Sequence, residues 1–275
     1  TNKAIKKLKL NTSFHYTRGA GYFEQYVGTE HNSVMYNGDY AWGKNLLSYY
    51  NLDDVIISGD TISQTNLIRR RWLDNHFYGL VFSADYTANK FNLILGGGAN
   101  QYLGGHFGEV IWAQYASDGS IRHRYYDNDA TKNDVNLYGK LNYDLNKDFN
   151  AYLDLQYRFV SYEFTGLNND RSPLDQTANL NFFNPKAGVN YRLNSSNNLY
   201  GFIGVGNKEP NRDDFTDSSP ESRPQHEQLL DVEFGHRYNS EKISVSTNFY
   251  HMQYNNQLIL TGELNDVGSA VRVNI

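Results

Sequence analysis

Five short constellations in this 275-residue chain carry side chains able to do chemistry. The segment NKEPNRDDF offers Glu209, Arg212, Asp213 and Asp214. Two carboxylates facing a reacting group can act as general acid and base. An arginine among them more often builds a salt-bridge network that braces a loop, and that is the reading adopted. In GGHFGEVIW, His106 and Glu109 stand at i and i+3, a spacing that suits a metal on a helix. The flanking glycines predict a loop instead, so no zinc site is expected. Asp127, Asn128 and Asp129 supply oxygen ligands, but the glycine and terminal glutamate of a calcium loop are missing. Arg69, Arg70 and Arg71 precede Trp72 and offer an anion- or sugar-binding patch; the simpler reading is that alternation sends two of the three to one wet face. Tyr22, Phe23, Tyr26, Tyr36, Tyr40 and Trp42 crowd one polar stretch. Such rings stack on a sugar or an iron chelate, or pack the loop onto itself. No Gly-x-Ser-x-Gly pattern is present. No catalytic residue, cofactor or metal is therefore expected.

The elements that must position these residues are strands. Aromatic residues make up 15 % of the chain, with 23 tyrosines, yet the mean hydropathy is −0.67. No run of about twenty apolar residues exists, which excludes a transmembrane helix. It does not exclude a membrane strand, in which only every second residue need be apolar. The absence of cysteine rules out a disulfide scaffold and a Cys-ligated metal. A net charge of −5 gives no reason to expect nucleic-acid binding.

Alternation is the primary signal. Leu8, Leu10, Thr12, Phe14 and Tyr16 share one face, as do Tyr78, Leu80, Phe82, Ala84 and Tyr86. The same holds for Phe91 to Ala99, Leu137 to Leu145, Ala151 to Phe159 and Ala187 to Leu193. Tyr200 to Gly206, Leu230 to Tyr238 and Ile243 to Phe249 continue the series, and QLILTG from Gln257 ends it. The count is about ten strands, several near the ~9–11 residues that a tilted strand needs to cross a bilayer. Connections alternate between about four or five residues and roughly twenty to fifty, as outer-membrane barrels alternate periplasmic turns with extracellular loops. Opposite the apolar faces lie Asp154, Gln156 and Arg158, and Asp231, Glu233 and Arg237. A lysine or arginine on the lipid face at mid-bilayer costs about 2–4 kcal/mol, so these faces must point into a wet lumen. Tyr16, Tyr86, Tyr143 and Tyr238 sit where interfacial girdles belong. The fold predicted is all-β, an antiparallel transmembrane β-barrel wall. The competing architectures are a self-contained outer-membrane pore or enzyme and a soluble β-sandwich carbohydrate-binding module.

HYTRGAGYFEQY (His15 to Tyr26), LIRRRWLDNHFYG, GGHFGEVIW, DLQYRF, FFNPKAGVNYRL, NKEPNRDDF and the run from Asn248 to Ile275 resemble, in order, segments of TonB-dependent outer-membrane receptors of the Bacteroidetes type. The resemblance implies that residues 1–275 are part of the C-terminal portion of a 22-stranded barrel, without the plug domain. It implies an active-transport receptor of the cell outer membrane that binds a scarce nutrient (an iron chelate, a corrinoid or an oligosaccharide) and imports it with energy from the TonB-ExbB-ExbD complex. The implied partners are the lipid bilayer, that complex through an N-terminal region, the cargo and a surface lipoprotein. The candidate ligand-binding residues, on loops and rim, are Tyr22, Tyr26, Trp42, Arg69, Arg71, Trp112 and Arg212.

Overall fold

The computed structural model describes residues 7–29, 46–117, 121–216, 218, 223–264 and 270–275. Its centre is a ten-stranded antiparallel sheet. The long strands are β1 (Lys7–Val27), β4 (Leu67–Thr87), β5 (Phe91–Ala113), β6 (Arg124–Asp144) and β7 (Phe149–Leu167). The shorter ones are β8 (Pro173–Phe183), β9 (Lys186–Arg192), β10 (Asn197–Lys208), β11 (Glu227–Asn239) and β12 (Ser244–Asn255). Two small hairpins stand apart: β2 (Val55–Ile57) with β3 (Asp60–Ile62), and β13 (Leu258–Leu264) with β14 (Ala270–Asn274).

Within the sheet, neighbours in sequence are neighbours in space, in the order β1-β4-β5-β6-β7-β9-β10-β11-β12. β8 and β9 share one position in the wall. Pro185 has no N–H to give to a ladder, so the strand breaks there. β8 pairs with the upper half of β7, and β9 with its lower half and with β10. Side chains repair the break: Asn184 accepts the Asn207 backbone N–H at 3.0 Å and donates to Gln156 at 3.0 Å.

The register tests which face is which, because directly paired residues point to the same side of a sheet. One row runs Leu8, Tyr86, Leu93, Leu141, Leu153, Ala187, Ile203, Val232, His251 across all nine wall positions. On the opposite face Lys140, Asp154, Lys186, Gly204 and Asp231 share another row. The charged sides of β7 and β11 therefore face the same way. We call that side the inner face and the apolar side the outer face. The outer apolar band spans nine positions on each of three strands, Tyr78 to Tyr86, Phe91 to Ala99 and Val135 to Tyr143. Tyr86, Phe91, Tyr143 and Tyr238 mark one margin, and the cross-strand pair Tyr16 and Tyr78 marks the other.

At the first margin the connections are tight. Three or four residues link β4 to β5, β6 to β7, β9 to β10 and β11 to β12. Asn146 Oδ1 accepts the backbone N–H groups of Asp148 and Phe149, and Asn194 Oδ1 those of Ser196 and Asn197. This is the local bonding that suits asparagine to turns.

At the other margin the structure departs from the pattern-based expectation. β4, β5 and β6 do not end with the apolar band but run on for eleven or more residues. The connection between β5 and β6 is Gln114–His123, shorter than the roughly twenty to fifty residues expected of a long loop, and β7 and β8 are joined by five residues. GGHFGEVIW lies inside β5 and is strand, not loop. The tenth apolar segment, from Gln257, adds no strand to the wall: it forms β13 and pairs with β14.

Candidate functional site

The loop end of the inner face is where side chains with chemistry converge. Two connections fold back onto it and each makes a small core. The 3-10 turn Leu47–Tyr50, with Leu52, packs on Leu67, Val110, Tyr125 and Tyr126. Both tyrosines of the Tyr125–Tyr126 pair lie in this core because a register irregularity at Gly108–Glu109 interrupts the alternation of β6. Gly108 is required there. A Cβ on it would stand 2.3 Å from the Tyr126 ring and 2.5 Å from that of Tyr125. Burial raises the Tyr125 phenol well above its ordinary value and raises that of Tyr50 as well. Arg171, in the β7–β8 turn, ties the same loop down by donating to the carbonyls of Ser48 and Tyr49 at 2.8 and 2.9 Å.

The second connection, between β10 and β11, carries the short helix α1 (Arg212–Thr216). Phe215 of α1 is buried against Ala130, Val160, Tyr162, Phe164 and Phe182. Polar anchors flank this core. Glu209 accepts from Lys132 Nζ at 2.7 Å, Arg158 Nη2 at 3.0 Å and the Tyr162 hydroxyl at 3.3 Å. Arg158 also forks onto Asp134, with Nε donating to both carboxylate oxygens at 3.0 and 3.1 Å. Gln176 donates to the Phe215 carbonyl at 3.0 Å. Asp214 accepts the Asn211 backbone N–H and, at 3.0 and 2.9 Å, two N–H groups of Arg272 on β14. NKEPNRDDF is thus a strap across the inner face, with Glu209 and Asp214 held in ion pairs and Asp213 exposed.

The expected ligand-binding residues divide between the two faces. Arg69 and Arg71 are buried on the inner face of β4: Arg69 donates to Gln25 from Nε at 3.0 Å, and Arg71 to the Tyr126 hydroxyl at 3.4 Å. Arg212 opens α1 on the same face and donates to Asn128 Oδ1 at 2.6 Å. Tyr22, Tyr26 and Trp112 stand on the outer face beyond the apolar band, each about half exposed. Trp42 lies outside the described residues, as do Tyr36 and Tyr40. The middle arginine, Arg70, points outward, as alternation predicts. It lies over the Tyr22 ring at 3.9 Å and pairs with Glu24 at 2.7 Å. From Tyr22 the stack continues through Trp72 and Phe107 to Arg124, whose guanidinium sits 3.6 Å from the Phe107 centroid. This ladder joins four strands above the band, and its arginines are neutralised by Glu24 and Asp127.

Neither metal-like motif gathers its ligands. His106 is on the inner face of β5, whereas Glu109 is on the outer face and accepts from Trp72 Nε1 at 3.1 Å. Asn128 points inward, and its neighbours Asp127 and Asp129 point outward. Sequence reasoning missed Lys132, Asp134 and Tyr162, and named Asn128 only as an oxygen ligand for a cation. Each lies on a strand 24 or more residues from a partner it meets, so no local spacing could single out that contact.

Solved structures with this architecture support the reading of the wall. "Copper transporter OprC" superposes with a TM-score of 0.59 at 14 % identity, over 76 % of this chain and 34 % of that one. The ferric citrate transporter FecA in its unliganded form gives 0.51 at 13 % identity, over 70 % and 30 %. At such identity the likeness shows the fold alone, and this chain spans about a third of their length. A comparison with curated proteins finds no match. The family model described as TonB dependent receptor-like, beta-barrel, matches residues 4–275. With an apolar outer band, a charged inner face and tight turns at one margin, the chain belongs to the β-barrel family of TonB-dependent receptors.

Proposed function

We propose that the whole protein is an outer-membrane receptor that captures a scarce nutrient at the loop end of the barrel and imports it with energy delivered by the TonB-ExbB-ExbD complex. The observation that carries the reading is the contrast between the two faces. An outer band nine residues deep matches the ~9–11 residues of a bilayer-crossing strand, while ion pairs and the Asn248 amide on Glu233 line the inside. Rows of Lys140, Asp154 and Lys186 would each cost several kcal/mol against lipid and cost little against a wet lumen. In this reading residues 1–275 form part of the barrel wall, and a plug domain and a TonB-contacting segment belong to the rest of the protein. The nutrient is an iron chelate, a corrinoid or an oligosaccharide; a metal-bearing cargo would be in keeping with the names of the two structural relatives, a copper transporter and a ferric citrate transporter. A surface lipoprotein is a further partner of the loop end. Binding is non-covalent, and no side chain is assigned a catalytic role. The experiment is fractionation of the full-length protein with uptake in cells with and without TonB. Outer-membrane location, heat-modifiable migration and uptake that stops without TonB are expected. A soluble product, or uptake indifferent to TonB, overturns the proposal.

A further inference from the structure

Between the two loop cores the inner face carries a saddle of basic and aromatic side chains. Arg71, Gly108 and Tyr126 form one cross-strand row, and Leu73, His106 and Asn128 the row beside it. Tyr102 leans over Gly104 from below, its ring within 3 Å of where a Cβ would stand. Arg212 reaches into the second row from α1. Its Nη2 donates to Asn128 Oδ1 at 2.6 Å, and its Nη1 is buried with no hydrogen-bond partner among the described residues. Phe164 covers the guanidinium, with the ring centroid 5.3 Å away. Asn128 cannot turn to offer more, because its Nδ2 is committed to the Leu167 carbonyl at 2.9 Å.

The charge balance here is unlike that of the strap. Lys132 and Arg158 are neutralised by Glu209 and Asp134. Among the described residues the one carboxylate acting on Arg212 is its sequence neighbour Asp213, whose side chain is exposed. The surroundings register this excess. Burial, aided by Arg212 and Arg71, pushes the His106 imidazole down to about 4, so the ring is neutral at neutral pH. Burial also lowers the Arg212 guanidinium below its ordinary value. The neutral amide oxygen of Asn128 is a weak acceptor for a buried guanidinium fork, which matches the two oxygens of a carboxylate or phosphate far better.

We propose that this saddle binds an oxyanion group, carboxylate or phosphate, on the transported nutrient, with Arg212 as the principal donor and Arg71, Tyr126, Tyr102 and His106 lining the site. The oxyanion displaces Asn128 Oδ1 from Arg212 and engages both terminal nitrogens. This inference rests on the receptor reading and names the chemistry of its cargo.

The test is calorimetric titration of the full-length receptor in detergent with succinate and, separately, inorganic phosphate. Binding of one probe but not the other identifies which oxyanion the saddle takes. Arg212→Met is expected to weaken binding at least tenfold, and Arg212→Lys three- to tenfold, since lysine keeps the charge and loses the fork. Heat-modifiable migration of each variant checks folding; if Arg212→Met fails to fold, Arg212→Lys decides. A folded parent that binds neither anion, or folded variants that bind as the parent does, overturns the saddle. The receptor reading is judged separately by location and TonB-dependent uptake of the parent. A correctly placed, active receptor with no anion binding removes only the oxyanion site.

Discussion

The strap across the inner face yields the most quantitative prediction. In Glu209→Gln the carboxylate that holds Lys132, Arg158 and Tyr162 becomes a neutral amide. Arg158 keeps its fork on Asp134, so the loss falls on Lys132. The side chains of Lys132 and Glu209 are 24 % and 19 % exposed, between a surface pair, worth about 0–1 kcal/mol, and a buried one, whose breaking costs about 3–5 kcal/mol. An intermediate cost of about 2–3 kcal/mol follows. The segment that contains Phe215 opens locally, and exchange by local opening scales with that free energy. Hydrogen exchange followed by mass spectrometry, read on peptides covering residues 208–216, should therefore accelerate by about 30- to 150-fold. The double variant Lys132→Met/Glu209→Gln should recover all but about 1 kcal/mol, because no uncompensated ammonium remains. Unchanged exchange in the single variant would refute the idea that this ion pair holds the strap. So would a double variant as destabilised as Glu209→Gln alone.

Three further outcomes are expected. His106 should titrate near 4 by NMR of the labelled side chain. A pKa lowered by burial means that the opened state binds the proton more readily, so the closed inner face loses stability as pH falls from about 6.5 towards 4, by on the order of 3 kcal/mol in all. His106→Leu should remove about one proton from that pH dependence, and an unchanged slope of protease sensitivity against pH would contradict the assignment. Gly108→Ala forces a Cβ into two buried rings, so a loss of about 1–3 kcal/mol and faster proteolysis around residues 46–52 are expected; a variant as resistant as the parent would show that Tyr125 and Tyr126 can move aside. On β12, Phe249 is on the outer face and Asn248 on the inner, donating to Glu233 at 2.9 Å. Phe249→Arg should cost about 2–4 kcal/mol and deplete the folded band on unheated gels, while Asn248→Arg should be tolerated beside the Glu233 carboxylate. Equal effects would mean that the two faces have been confused.

The lower part of the wall was legible in the sequence because its two faces meet different surroundings. In Ala151 to Phe159 every second residue is apolar, and the register places Leu153 and Leu155 in the outer band and Asp154 in the inner charged row. Above the band that contrast disappears. In LIRRRWLDNH, arginines fall on both faces, and the outer positions Arg70, Trp72, Asp74 and His76 alternate with the inner Arg69, Arg71, Leu73 and Asn75. A strand wet on both sides has no period to detect, so these halves read as loops. The triple arginine was partly legible: alternation separated Arg70 from its neighbours, but nothing local paired Arg71 with Tyr126 or Arg70 with Glu24. Glu209, Arg212 and Asp214 announced a salt-bridge network by composition, while Lys132, Asn128 and Arg272, distant in sequence, did not. The segment from Gln257 had the hydropathy of a wall strand and pairs instead with β14, since hydropathy does not specify a partner.

The tight turns have a bearing on how the wall is made. Each of the four tight turns joins strands that pair with each other, and β4 to β12 pair in chain order apart from the fork at β8 and β9. Each of these four hairpins closes a loop of only three or four residues. A short loop costs little closure entropy before pairing rewards it. Assembly can therefore zip hairpin by hairpin from the asparagine turns, each new strand finding its template already in place. Asn146 and Asn194, at the margin opposite the loop end, would then set the rate at which the wall is built rather than its final stability.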